Sequence, residues 1–103
     1  MKKSTIRPST QSCMGTSFHG NTVKASRAQL KSVLGMPTYV NRDVFEKTQH
    51  EWVCEIAGHV FTVYDWKEYR RVKASEPIEW HIGGDSLIVT DYAARELSEL
   101  LEK

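Results

Sequence analysis

The strongest constraint on this fold is a period-two alternation broken by a single glycine. From Glu51 to Ala57, Trp52, Cys54 and Ile56 alternate with Glu51, Val53 and Glu55, so one strand face is apolar and the other mostly charged. Gly58 interrupts the pattern, and His59 to Trp66 reads as a second strand. Its alternation is ambiguous, because Phe61 and Val63 compete with Val60, Thr62 and Tyr64. Burying Phe61 and Val63 leaves Thr62, Tyr64 and Trp66 on the opposite face. So short a gap makes an antiparallel hairpin the default. A third strand begins at Pro77, where proline is tolerated. There Ile78, Trp80 and Ile82 share one face, Glu79 and His81 the other, and Gly83-Gly84 ends the run.

The remaining segments supply helices and connections. Ser26 with Gln29 three residues later forms a capping box, Leu30, Val33 and Leu34 make one stripe, and Gly35 then Pro37 stop the helix. A second helix is expected from a Thr90 cap, with Asp91 at its positive end and Ala93, Leu97, Leu100 and Leu101 as the buried stripe. Leu87-Ile88-Val89 reads as extended or as a tight lead-in to it. Thr16 to Ala25 predicts a short strand or a turn around Gly20-Asn21, Thr38 to Gln49 a polar connection, and Lys67 to Pro77 a charged loop. Residues 1–14 read as a disordered basic leader, poor in residues to bury. Residues 15–103 read as a single α+β domain: a helix, an antiparallel β-hairpin plus a third strand, and a C-terminal helix packed on one sheet face.

Composition narrows the function classes. The net charge of +1 gives no overall field toward a polyanion. The charges are unevenly placed, however: Lys2, Lys3, Arg7, Lys24, Arg27, Lys31 and Arg42 precede the first carboxylate, Asp43. Such a segment is a thin candidate for nucleic acid, and the plainer reading is a solvated, mobile terminus. Cys13 and Cys54 have no metal-type spacing, and a reduced protein is the simpler account. Met1-Lys2-Lys3 has the charge of a secretory n-region, but Ser4 to Ser12 adds no apolar stretch, and no run reaches membrane-span length. The expectation is a cytoplasmic protein without a membrane partner.

Two aromatic-polar segments carry the recognition chemistry. Tyr64, Trp66, Lys67, Tyr69 and Arg70 lie in one, and His81, Gly83 and Gly84 in the other. With the apolar strand faces buried, Tyr64, Trp66 and His81 share the open face, where aromatic anchors suit a partner or ligand. The plainer account is cross-strand pairing of good strand formers. His81 with Glu79, Asp65 or Asp85 suggests an acid/base pair, but no nucleophile accompanies it, so no catalytic residue is assigned. His19, His50, His59 and His81 lack ligand spacing, so no metal or other cofactor is expected. Gly83-Gly84-Asp85-Ser86 with Lys67, Arg70, Arg71 and Lys73 makes a weak phosphate motif.

Gly15-Thr16-Ser17 … Gly20, Leu30 … Leu34-Gly35-Met36-Pro37, Glu51-Trp52, Tyr64-Asp65-Trp66-Lys67 and Trp80-His81-Ile82-Gly83-Gly84 together resemble a family of small, largely uncharacterised bacteriophage proteins. The likeness spans about residues 14 to 86; the leader and Leu87 to Val89 fall outside it. In fold alone, a helix ending in leucine-glycine-x-proline before a tryptophan-bearing hairpin is also similar to the modules of outer-membrane assembly lipoproteins and β-lactamase inhibitory protein. The phage resemblance implies an accessory protein acting on a host component in the bacterial cytoplasm, with no reaction. The leading expectation is therefore a non-enzymatic protein that binds and modulates a host protein, with a homodimer possible. Its alternatives are a binder that sequesters a nucleotide, stacking Trp66 or Trp80 on the base and pairing Arg70 or Arg71 with phosphate, and nucleic-acid binding through the basic segment.

Overall fold

In the computed structural model, which describes residues 6–102, the alternation is realised as β4 (His50–Ile56) and β5 (His59–Tyr64). Their turn is the two residues Ala57 and Gly58, with φ 51° and 82°. Positive φ at both positions matches the right-handed twist of the flanking strands. The register pairs Trp52 with Val63 and Cys54 with Phe61, and all four side chains are buried. Phe61 and Val63 thus decide the ambiguous strand as expected.

Four further elements precede the hairpin, the first three being β1 (Ile6–Pro8), β2 (Ser17–Ser26) and α1 (Arg27–Leu34). After α1 comes the two-residue β3 (Tyr39–Val40); β6 (Pro77–Gly84) and α2 (Leu87–Leu101) follow the hairpin. The sheet is antiparallel, ordered β1-β4-β5-β6-β2, with β3 also pairing β4. The architecture is α+β, and the C-terminal helix packs on the sheet through β2, β6 and β5.

Several sequence expectations are corrected. Part of the segment read as a disordered leader is ordered: Ile6 pairs with Ile56, and the Ser9 amide donates to the Val53 carbonyl at 3.1 Å. Pairing with an exposed edge of β4 supplies the backbone partners that its own composition does not. The rest of that expectation, residues 1–5, lies outside the described residues. Thr16 to Ala25 is neither short nor a turn but mostly one long strand, interrupted by a register shift between Phe18 and Thr22 where Gly20 takes φ 100°. The polar connection contains β3.

α1 forms as its punctuation predicts. The Ser26 amide donates to Gln29 Oε1 at 2.8 Å and the Gln29 amide to Ser26 Oγ at 3.1 Å. Gly35 ends the helix at φ 83°, ψ −158°, a region open to glycine. Its amide donates to the Lys31 carbonyl, and its own carbonyl accepts the Trp52 indole N–H at 2.9 Å.

The start of α2 differs from the sequence reading. Ser86, not Thr90, is the N-cap, its Oγ accepting from the Val89 amide at 3.3 Å, so Leu87-Ile88-Val89 is the first helical turn rather than an extended segment. Both residues are Ser/Thr cap types; burial chose between them. Thr90 is fully buried, donates to the Leu87 carbonyl and accepts from the Asn21 side chain at 2.9 Å, while Asn21 also donates to Asp91. The bulge in β2 thereby fastens the sheet edge to α2. Ala93 and Leu97 are buried, whereas Leu100 and Leu101 are half-buried.

Both helices sit on the sheet face carrying Trp52, Cys54, Ile56, Phe61, Val63, Ile78, Trp80 and Ile82, which form one core with Leu30, Leu34, Val89, Ala93 and Leu97. Trp52 and Trp80 meet edge to face at 5.4 Å. Trp80 donates its indole N–H to the Ala25 carbonyl at 2.9 Å, so both core indoles are satisfied. An unpaired buried donor costs about 1–3 kcal/mol.

Candidate functional site

The opposite sheet face is built from cross-strand rows. Thr22 lies opposite His81, His81 opposite Tyr64, Tyr64 opposite Glu51 and Glu51 opposite Tyr39. One row along, Phe18 faces Gly83, Gly83 faces Thr62 and Thr62 faces Val53. Gly83 has no side chain to fill its place between Phe18 and Thr62, and the Phe18 ring stacks on His81 instead, with centroids 4.1 Å apart and planes 18° apart.

His81 is the centre of a four-ring cluster. Trp66 stacks at 5.9 Å with an interplanar angle of 25°, and Tyr64 meets both His81, at 5.5 Å, and Trp66, at 6.0 Å, edge-on. Phe18 is 43% and Trp66 37% exposed, so the cluster is a surface feature. Two ammonium groups face Trp66: Lys67 at 5.5 Å and Lys47 at 6.0 Å from its ring centroid.

The segment after Trp66 is held in an uncommon conformation. Lys67 and Tyr69 both have φ 53°, a left-handed value that costs about 1–3 kcal/mol for such residues. The Lys67 amide donates to the Lys47 carbonyl at 2.7 Å, and the Gln49 side chain donates to the Arg70 carbonyl at 3.2 Å. These bonds fix the bend beside the Trp66 ring.

Desolvation sets the local electrostatics. Burial lowers the His81 pKa below 6.5, opposed by the Glu79 carboxylate. Tyr64 is raised by burial and then by Glu51, whose own pKa is raised by burial and then by Asp65. A neutral histidine, a neutral phenol and two further rings make a surface that favours apolar contact over proton transfer.

The structure brings Tyr64, Trp66, Lys67 and His81 together, as the sequence proposed. It separates the others. Tyr69 is exposed on the loop but makes none of the cluster's ring contacts. Arg70 is engaged by Glu76, one guanidinium nitrogen donating at 3.0 Å, and by Glu68 at 3.7 Å. Gly83 and Gly84 are buried: a Cβ at Gly83 meets Thr62 Oγ1 at 2.6 Å and one at Gly84 meets Thr90 Cγ2 at 2.8 Å. Their bareness serves internal packing. Val53 and Thr62, expected on open display, are buried as well.

The candidate acid/base partners of His81 divide similarly. Asp65 is buried and accepts from the Gln49 and His50 amides, each at 2.8 Å, while Asp85 lies 4.0 Å from His59. Burial raises the Cys54 thiol to about 12 and leaves it a poor nucleophile. Among the described residues there is no cluster of three or more metal-ligating side chains, and no helix is long and apolar enough to cross a membrane.

Sequence reasoning missed Phe18 and Lys47. Phe18 was visible as the one large apolar residue in a polar segment, but its neighbour His81 lies across a strand pair far apart in the chain. Lys47 carried no signal. Comparison with protein families, with curated proteins and with solved structures finds no match.

Proposed function

We propose that this chain is a non-enzymatic binding protein that engages a protein partner through the Phe18, Tyr64, Trp66 and His81 cluster. The observation that carries the reading is three rings, Phe18, Tyr64 and Trp66, each in contact with His81 and partly exposed on the sheet face opposite both helices. Contiguous aromatic surface of this kind has the composition of an interface centre, where a few anchors dominate binding. Lys47 and Lys67 beside Trp66 favour a partner with an apolar centre and carboxylates at its rim. The resemblance to small phage proteins supports a bacterial host protein of the cytoplasm as that partner, with modulation of the host as the outcome.

The test is affinity capture from bacterial lysate followed by titration of the purified captured protein against wild type, Phe18→Ala and Trp66→Ala. Each variant is expected to weaken binding by about 30-fold or more, the scale of an interface anchor, while its far-ultraviolet spectrum is unchanged. Equal affinity for the folded variants overturns the reading.

A further inference from the structure

The sheet face that carries the helices holds a second feature, independent of the ring cluster. A cavity of about 440 Å³ opens where β3, the first turn of α1 and the loop after β5 converge. That volume is ordinary for a small-molecule site, for which about 300–1,000 Å³ is typical. Arg27, Arg42 and Arg71 line it together with His50, Val40 and Val72, and no carboxylate does.

The arginines are not equivalent. Arg27 donates to the Val72 carbonyl at 3.2 Å, which fixes its side chain against the loop. Arg42 and Arg71 are exposed, and among the described residues neither forms an ion pair or side-chain hydrogen bond. Arg70, the preceding residue, is the contrast: its guanidinium is satisfied by Glu76 and Glu68. Like charges gathered with no carboxylate in the lining repel, and an anion between them lowers that cost. Guanidinium groups bind phosphate oxygens two at a time in a planar geometry, a fit that ammonium groups lack.

Asp65, outside the lining, accepts from the amides of the lining residues Gln49 and His50, which holds the start of β4 in place. Burial and then Arg27 lower the His50 pKa, with Asp65 opposing, so the imidazole adds no fixed charge of its own near neutrality. A second cavity of about 210 Å³ shares Arg27, Val40 and His50 with the first and is otherwise lined by Lys31, Met36, Pro37 and Trp52. The first cavity is thus lined by three guanidinium groups, and the second adds the apolar Met36, Pro37 and Trp52 beside the Lys31 ammonium.

We propose that this cavity binds a phosphorylated small molecule, with Arg42 and Arg71 holding the phosphate, Arg27 supporting them, and the Met36, Pro37 and Trp52 slot receiving the uncharged body. The basic bias of the first 42 residues thereby finds a local use, since Arg27 and Arg42 come from it and meet Arg71 from the loop. The site does not rest on the ring cluster or on its partner.

The test is calorimetric titration of the full chain with AMP, UMP and glucose 6-phosphate, beside inorganic phosphate and unphosphorylated adenosine. At least one phosphorylated probe is expected to bind about 10-fold more tightly than either inorganic phosphate or adenosine, because only it occupies both parts. The Arg42→Ala/Arg71→Ala double variant is expected to lose that affinity about 30-fold or more, the loss of two charge-assisted contacts. Arg70→Ala, which removes equal charge per residue from outside the cavity, is expected to change it by less than about 3-fold. No binding of any phosphorylated probe overturns the proposal. So does undiminished binding by the folded double variant, or an equal loss in Arg70→Ala, which reduces the effect to general charge. Inorganic phosphate binding as tightly as every ester overturns the assignment of the slot. Failure of the protein-partner reading leaves each of these outcomes unaffected.

Discussion

The sheet carries a histidine at the heart of each of its two candidate sites, and their surroundings are opposites. His81 stands between aromatic rings on the face opposite the helices, beside Glu79; His50 stands among guanidinium groups on the face that carries them, above Asp65. Burial lowers both pKa values, but Glu79 opposes the shift at His81 whereas Arg27 deepens it at His50. The same residue type is thus turned into an aromatic surface element on one side and a neutral wall of a cationic cavity on the other. Strand alternation assigns the side; the neighbours assign the chemistry.

The largest effect that separates the two faces is in their tryptophans. Trp80→Ala empties a fully enclosed position, and denaturant unfolding is expected to show a loss of about 3–5 kcal/mol. Trp66→Ala is expected to cost less than about 1 kcal/mol, because its ring is partly exposed and lies outside the core. Equal losses would break the distinction between a core and a recognition face.

Next in size is Gly83→Ala. The new methyl meets Thr62 Oγ1 beneath the ring cluster, and overpacking of this kind costs about 1–3 kcal/mol. Thr62→Ala combined with it is expected to recover part of that loss in a double-mutant cycle. Simple additivity would show that Gly83 serves something other than room for Thr62.

The smallest effect is in pH dependence. Both histidines titrate below 6.5 in the folded chain and near it in the unfolded chain. The unfolded state therefore binds protons first as pH falls, so their contribution to stability is complete above pH 6.5 and declines as pH drops toward the folded values. His81→Phe keeps a ring in the stack and removes the proton site, and is expected to flatten the stability profile below pH 6.5 relative to wild type. An unchanged slope would assign that dependence to His50 and the guanidinium side.

Much of the fold was legible in the sequence because it rests on local rules. The Trp52, Cys54, Ile56 alternation fixed a face, Ser26 and Gln29 marked a helix start, and Ile78, Trp80 and Ile82 marked the third strand. Tyr64, Trp66 and His81 were placed on one surface by the same parity. The errors fall where local signals were degenerate. Ser86 and Thr90 are both cap residues, and only the Asn21 contact and the burial of Thr90 distinguish them. Ile6 to Pro8 has no strand pattern of its own and becomes a strand by pairing with β4.

The sequence by itself determined the hairpin, the well-punctuated first helix and the two-sidedness of the strands, because periodicity and capping act over a few residues. Only the tertiary structure decided that β2 lies beside β6, which lays Phe18 on His81, and that Arg27, Arg42 and Arg71 surround one cavity while Arg70 is neutralised beside it. Neither outcome is encoded in a short window. Both depend on which distant strands exchange hydrogen bonds, and that choice is made by burying the whole core at once.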